Sequence, residues 1–226
     1  MKKFVVLLGI TCCLFLVNGC NLTKEEKTTL DEQKFKTEYE SLNGEKNSSG
    51  KDYKNITIPV KNKVTYLNDQ ETLKFLKSGT GVLYFGFPEC PWCRTAIPVL
   101  LETMASKKQE NLYYFNALSI RDKKELNEDG TIVTTQEGTK AYYEILEALG
   151  KNADTYEGLN DESIKRLYFP TVVFVKDGKI IGTHTATVES QKDPYEPLTS
   201  EQKTELVSIY DNYLKELNTT MCDEAC

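Results

Sequence analysis

The stretch that most restricts this chain runs from Gly81 to Lys107. Gly81-Val-Leu-Tyr-Phe-Gly-Phe87 is an apolar run of strand length, and it leads into Cys90-Pro91-Trp92-Cys93. Residues 94–107 then carry apolar side chains at helical spacing, which predicts a helix starting at the cysteines. Pro91 suits the first helical turn, where its missing N–H costs nothing. In that position Cys90 meets the unpaired N–H groups and the positive end of the helix dipole. Both favour thiolate over thiol, and the thiolate is the species that attacks a disulfide. Cys90 is therefore the candidate nucleophile at an exposed helix start. Cys93, one turn deeper, is the thiol that resolves the mixed disulfide. A bare pair of cysteines at this spacing is also the form of half a zinc site or of a structural disulfide.

The rest of the chain reads as alternating strands and helices. Ile56 to Ile58 and Val64 to Tyr66 are short β-like stretches, and Asn68 or Asp69 caps a helix through Gly79. Residues 111–120 contain another apolar strand, so strand, helix and strand should pair in parallel through a right-handed crossover. Between 121 and 168 the reading is a charged loop over 122–135, a helix over 136–150 and a second short helix over 161–168. Strands at 171–176 and 179–186 meet at Asp177-Gly178, a strong hairpin signal. A last amphipathic helix runs from Thr199 or Ser200 to Leu217.

The strand, the CPWC and the helix after it resemble the thioredoxin-fold oxidoreductases. Pro98 lies five residues past Cys93, where thioredoxins often carry a helix-kinking proline. Phe169-Pro170-Thr171-Val-Val-Phe-Val-Lys-Asp-Gly-Lys179 resembles the family's second hallmark, a cis-proline ahead of a central strand. The resemblance implies an α/β, thioredoxin-like fold: a central mixed β-sheet flanked by helices, with residues 121–168 as a helical insertion before the cis-proline strand. It further implies that Pro170 faces the CxxC and that Phe169, Pro170 and Thr171 bind substrate chain. Trp92 offers an aromatic surface beside them. Thioredoxins also keep a buried acid on the strand before the motif, as proton acceptor for the second cysteine. The matching position here is Tyr84.

The N-terminus reads as a processing signal. Lys2-Lys3 precede an apolar core, Phe4 to Val17, that is short for a membrane span. It ends in Leu16-Val17-Asn18-Gly19-Cys20, which resembles the lipobox of bacterial lipoproteins and implies lipidation at Cys20. The expected organisation is a signal peptide over 1–19, a flexible polar tether over 20–52, the domain over 53–221 and a CxxxC tail over 222–226. Net charge is −6, more negative still without Lys2 and Lys3, which argues against nucleic-acid binding. Apart from Cys12, Cys13 and Cys20, the cysteines are Cys90, Cys93, Cys222 and Cys226. Local pairs, Cys90 with Cys93 and Cys222 with Cys226, fit an oxidising compartment.

Phe85-Gly86-Phe87-Pro88-Glu89-Cys90-Pro91-Trp92-Cys93-Arg94 matches a pattern shared by Gram-positive thioredoxin-like lipoproteins, including the bacteriocin transport accessory protein family. That resemblance implies a lipid-anchored thiol–disulfide oxidoreductase on the extracytoplasmic face of the cell membrane. Its substrates would be secreted or envelope proteins or peptides, its electrons would pass to or from a membrane redox partner, and it would need no cofactor or metal. A monomer is expected. The alternative is an adaptor for an exporter or envelope complex that uses the same fold without the chemistry. Glu89 reads as a surface carboxylate, Arg94 as either a cation near Cys90 or a helix-surface residue, and His184 as structural.

Overall fold

The computed structural model describes residues 23–219. Thr23 caps α1 (Lys24–Glu40) in a capping box with Glu26. An extended stretch leads to β1 (Val64–Tyr66), α2 (Asp69–Ser78), β2 (Gly81–Phe85), α3 (Pro91–Ser106) and β3 (Leu112–Phe115). Next come β4 (Lys123–Leu126), β5 (Ile132–Gln136), α4 (Lys140–Leu149), β6 (Asp154–Thr155) and β7 (Lys165–Arg166). The chain finishes with β8 (Thr171–Lys176), β9 (Lys179–Thr185) and α5 (Ser200–Asn218).

Five strands form the central sheet, in the order β1-β3-β2-β8-β9. β1, β3 and β2 run parallel, while β8 is antiparallel to β2 and β9 to β8. The fold is thus α/β, with a mixed sheet flanked by helices. β2 is buried along its whole length, as a continuous apolar run in the middle of a doubly covered sheet must be. Asp177 and Gly178 both take positive φ, 50° and 73°, the conformation that closes a two-residue hairpin without splaying its strands. A side chain at Gly178 would run into the Lys77 carbonyl, so this turn admits no other residue without movement of α2.

Strand register decides which helices share a face. Tyr66 pairs with Tyr114, Tyr114 with Tyr84, Tyr84 with Val172, and Val172 with His184, so these five side chains form one row across the sheet. Phe35 of α1 meets Tyr114 edge-on at 5.0 Å, and Tyr210 of α5 meets His184 at 5.7 Å. α1 and α5 therefore lie on the row's face. α2 lies on the other, where Phe75 meets Tyr113 at 4.5 Å.

Residues 20–52, expected to be a flexible tether, are not one over their described length. α1 is a helix with Phe35 and Tyr39 fully buried in the core. Only these two large apolar side chains, four residues apart, mark its inner face, and the charged residues between them hide the pattern. The residues after α1 are fastened too. Asn43 exchanges two hydrogen bonds with the Ile56 backbone, while Lys36 and Glu40 hold the carbonyl and N–H of Ile58. These side chains stand in for a neighbouring strand, and the expected strand at 56–58 does not form. Replacing Phe35 with alanine is expected to cost about 3–5 kcal/mol by chemical denaturation, the toll for emptying an aromatic core site. A residue in a tether would cost under about 0.5 kcal/mol.

The segment 121–168 is not the helical insertion expected. It has one long helix, α4, between two hairpins. The first hairpin occupies the stretch read as a loop, where the β-branched run Thr131 to Thr135 follows a turn at Gly130 with φ 84°. The short helix expected at 161–168 is absent. There, Lys165 and Arg166 pair with Thr155 and Asp154, and the Arg166 guanidinium lies 4.1 Å above the Tyr156 ring.

Candidate active site

The end of β2 and the start of β8 are register partners, Phe85 opposite Thr171. The chain leaving β2 reaches Cys90 at the first turn of α3, and the chain entering β8 arrives through Phe169 and Pro170. Sheet register alone therefore sets the two motifs face to face. Phe169–Pro170 is cis, and the Phe169 carbonyl accepts a hydrogen bond from Cys90 Sγ at 3.5 Å. Thr171 points elsewhere: its hydroxyl donates to the Tyr168 carbonyl at 2.8 Å and meets Thr185 at 3.2 Å, which pins the loop instead of facing the sulfur.

Cys90 caps α3, and its Sγ accepts the Cys93 N–H at 3.2 Å. That is the geometry in which a thiolate gains from a helix N-terminus. Hydrogen bonding from the Cys93 side chain holds the Cys90 thiol below its ordinary range; burial opposes this, and the N–H groups of Cys93 and Trp92 and the charge of Arg121 add to the lowering. Cys93 behaves in the opposite way. Burial pushes it far up and the neighbouring Cys90 sulfur pushes it further, against smaller help from the Phe87 N–H and the Tyr84 hydroxyl. Two thiols three residues apart thus differ sharply in readiness to ionise. The expectation of an exposed nucleophile needs correction: Cys90 keeps only 5 % of its exposure, and Cys93 keeps none. The order of accessibility is the expected one.

Arg121 is a site residue that sequence reading missed. It opens the segment before β4, its guanidinium lies 4.9 Å from the centre of the Phe169 ring, and it reaches the Leu167 carbonyl at 3.5 Å. Nothing at 31 residues' distance in sequence links it to Cys90. Arg121→Gln is expected to raise the pH midpoint of Cys90 alkylation by a few tenths of a unit to about one unit, because a cation that favours the thiolate is removed. The rate of iodoacetamide modification against pH measures this, and an unmoved midpoint would show the charge to be irrelevant.

Trp92 is half-buried and lines a groove together with the segment from His184 to Glu189. His184 Nε2 lies 2.5 Å from the Thr187 carbonyl, and burial lowers its pKa, so it is a neutral packing residue of that wall. Glu89 is exposed, as a surface carboxylate should be. Arg94 is neither of the things expected of it. It is completely buried and donates to the carbonyls of Tyr39, Lys54 and Pro88 and to Asn43 Oδ1, at 2.7 to 3.2 Å. It fastens α1 and the segment behind it to α3. Pro98 lies within α3, as expected.

Cys20, Cys222 and Cys226, with the signal segment, lie outside the described residues. The last turn of α5 lies beside Lys176, at the end of β8 far from Thr171. Among the described residues no group of three or more His, Cys, Asp or Glu side chains is placed to hold a metal, and no helix is long and apolar enough to cross a membrane. Comparison with protein-family models, curated proteins and solved structures returned no match.

Proposed function

We propose that this protein is a thioredoxin-like thiol–disulfide oxidoreductase acting through Cys90 and Cys93. The observation that carries the reading is the asymmetry of the two sulfurs: a helix-capped Cys90 with a lowered pKa, 3.5 Å from the carbonyl before the cis-proline, and behind it a sealed, protonated Cys93. In the reducing direction the Cys90 thiolate attacks one sulfur of a substrate disulfide, and the electron pair of the broken bond leaves on the other. Cys93 then attacks Cys90 Sγ. The second substrate sulfur departs, carrying the proton Cys93 gave up, and a Cys90–Cys93 disulfide remains. Two electrons have passed to the substrate; oxidation of a dithiol is the same path reversed. The Phe169 to Thr171 loop and the Trp92 groove would hold the substrate chain across Cys90.

In this reading Cys20 carries a lipid that places the domain on the outer face of the cell membrane. The substrates are secreted or envelope proteins and peptides, and a membrane protein resets the pair. The test is reduction of insulin's interchain disulfides by wild-type and Cys90→Ala protein. Turnover by the wild type alone is expected, and equal rates would reject the reading.

A further inference from the structure

The chain holds only three arginines among its 28 basic residues, and their placement is uneven. Arg94 is the buried clamp. The other two stand against the segment 166–169, which leads to the carbonyl that Cys90 contacts. Arg121 lies 4.9 Å from the centre of the Phe169 ring and donates to the Leu167 carbonyl at 3.5 Å. Arg166 lies 4.1 Å from the centre of the Tyr156 ring and 5.6 Å from that of Tyr168. A stacked guanidinium spends a face on the ring, while its N–H groups lie in its own plane and stay free to donate. Few of those donors are used. Among the described residues Arg121 has one acceptor, the Leu167 carbonyl, and Arg166 has none; its Nε is shut away without a partner. No carboxylate among the described residues lies within 4.0 Å of either guanidinium. The acids of the neighbourhood are engaged elsewhere or exposed. Asp122 is buried with Lys124 Nζ at 3.5 Å, the Asp154 carboxylate accepts from Thr185 at 2.6 Å, and Glu157 is exposed. Half-buried donors held by aromatic rings, with no protein acceptor, form a site that an incoming anion completes. The planar fork matches a carboxylate, which accepts two parallel N–H bonds.

We infer that Arg121 and Arg166 bind a carboxylate of the substrate chain, so that the preferred substrates are acidic segments with an Asp or Glu side chain two or three residues from the cysteine under attack. The spacing follows from the contacts. Cys90 Sγ meets the Phe169 carbonyl, Arg121 meets the Leu167 carbonyl two residues earlier, and Arg166 is one residue earlier still. A substrate chain laid along this segment, with its cysteine at Cys90, brings side chains at those distances to the guanidinia. This assignment rests on the thiol–disulfide reading and names the class of chain on which that reaction acts. The protein carries a net charge of −6, so the two cations are a local exception. They select at contact range and do not steer acidic chains from afar.

The experiment uses short peptides, capped at both ends, whose single cysteine is joined to a coloured aryl thiol. Cys90 attacks the peptide sulfur, the aryl thiolate leaves with the electron pair of the broken bond, and the peptide stays on Cys90. One peptide set carries Glu two or three positions from the cysteine, on either side, and the other carries Gln there. Dividing each rate by that of a small free thiol with the same peptide removes the peptide's own reactivity. Wild-type protein is expected to prefer the best Glu peptide about fivefold or more over its Gln partner at low salt. Arg121→Gln and Arg166→Gln are each expected to bring that ratio below about twofold, and Arg166→Lys to recover part of it. The ratio is insensitive to any change in Cys90 ionisation, because both peptides meet the same thiolate. If the Gln variants fail to fold, the wild-type ratio still falls toward one as salt rises to about 0.5 M. A wild-type ratio near one, a ratio that survives both Gln substitutions, or a gain from a free C-terminal carboxylate in place of Glu would overturn the inference and leave the two-cysteine reaction intact. Failure of the wild type to release aryl thiolate from either peptide would overturn the reaction itself.

Discussion

Cys90→Ser is expected to lose at least about a thousandfold in disulfide exchange, whereas Cys93→Ser is expected to keep the first step and stall at the second. The reasoning is the division of labour between the sulfurs. Serine at position 90 still caps the helix and still accepts the Cys93 N–H, so the fold is preserved, but an alkoxide is out of reach where a thiolate was favoured. Cys93 is not able to substitute: it is sealed from solvent and its pKa is pushed far up. With position 93 changed, the attack by Cys90 yields a mixed disulfide that no other cysteine among the described residues resolves. Mass spectrometry of the product after exposure to a disulfide-bonded peptide distinguishes these outcomes. The expected result is a covalent adduct on Cys93→Ser protein that reductant removes, and none on Cys90→Ser protein. Adducts on both, or on neither, would contradict the assigned roles.

Arg94→Ala is expected to destabilise the fold by at least about 3 kcal/mol, more than any surface change near the motif. The guanidinium is fully buried with four acceptors around it and no carboxylate among them. Alanine would leave the carbonyls of Tyr39, Lys54 and Pro88 and the Asn43 amide oxygen without that donor. Lysine retains the charge but not the planar fork that spans acceptors on separate segments, so Arg94→Lys is expected to recover only part of the loss. Guanidinium-chloride denaturation measures both. A loss below about 1 kcal/mol for alanine would mean that α1 and the residues after it hold to the domain without Arg94.

Some of this was legible in the chain and some was not, and the difference follows contact distance. α3 begins at Pro91 and ends at Ser106, close to the expectation, because proline at the first turn and helical apolar spacing are local signals. The Asp177-Gly178 hairpin and the last helix are local in the same sense. α1 was not legible as core. Its inner face is two aromatic residues, and they gain meaning only against Tyr66, Tyr84 and Tyr114, which no pattern within the helix reveals. The first hairpin of the 121–168 segment was read as a loop because its strands are exposed and polar, Lys-Lys-Glu-Leu against Ile-Val-Thr-Thr-Gln, and so carry little of the apolar alternation that marks a half-buried strand.

The amino-acid order by itself determined which cysteine caps a helix, since a proline-started helix polarises the cysteine at its cap through its own backbone. Tertiary structure decided the rest: Arg121 beside Phe169, Arg94 turned inward as a clamp, and the full burial of Cys93. The physical reason is range. A helix end acts on its own first residue, but burial and a distant guanidinium act only once strand register and helix packing have set them around the sulfurs.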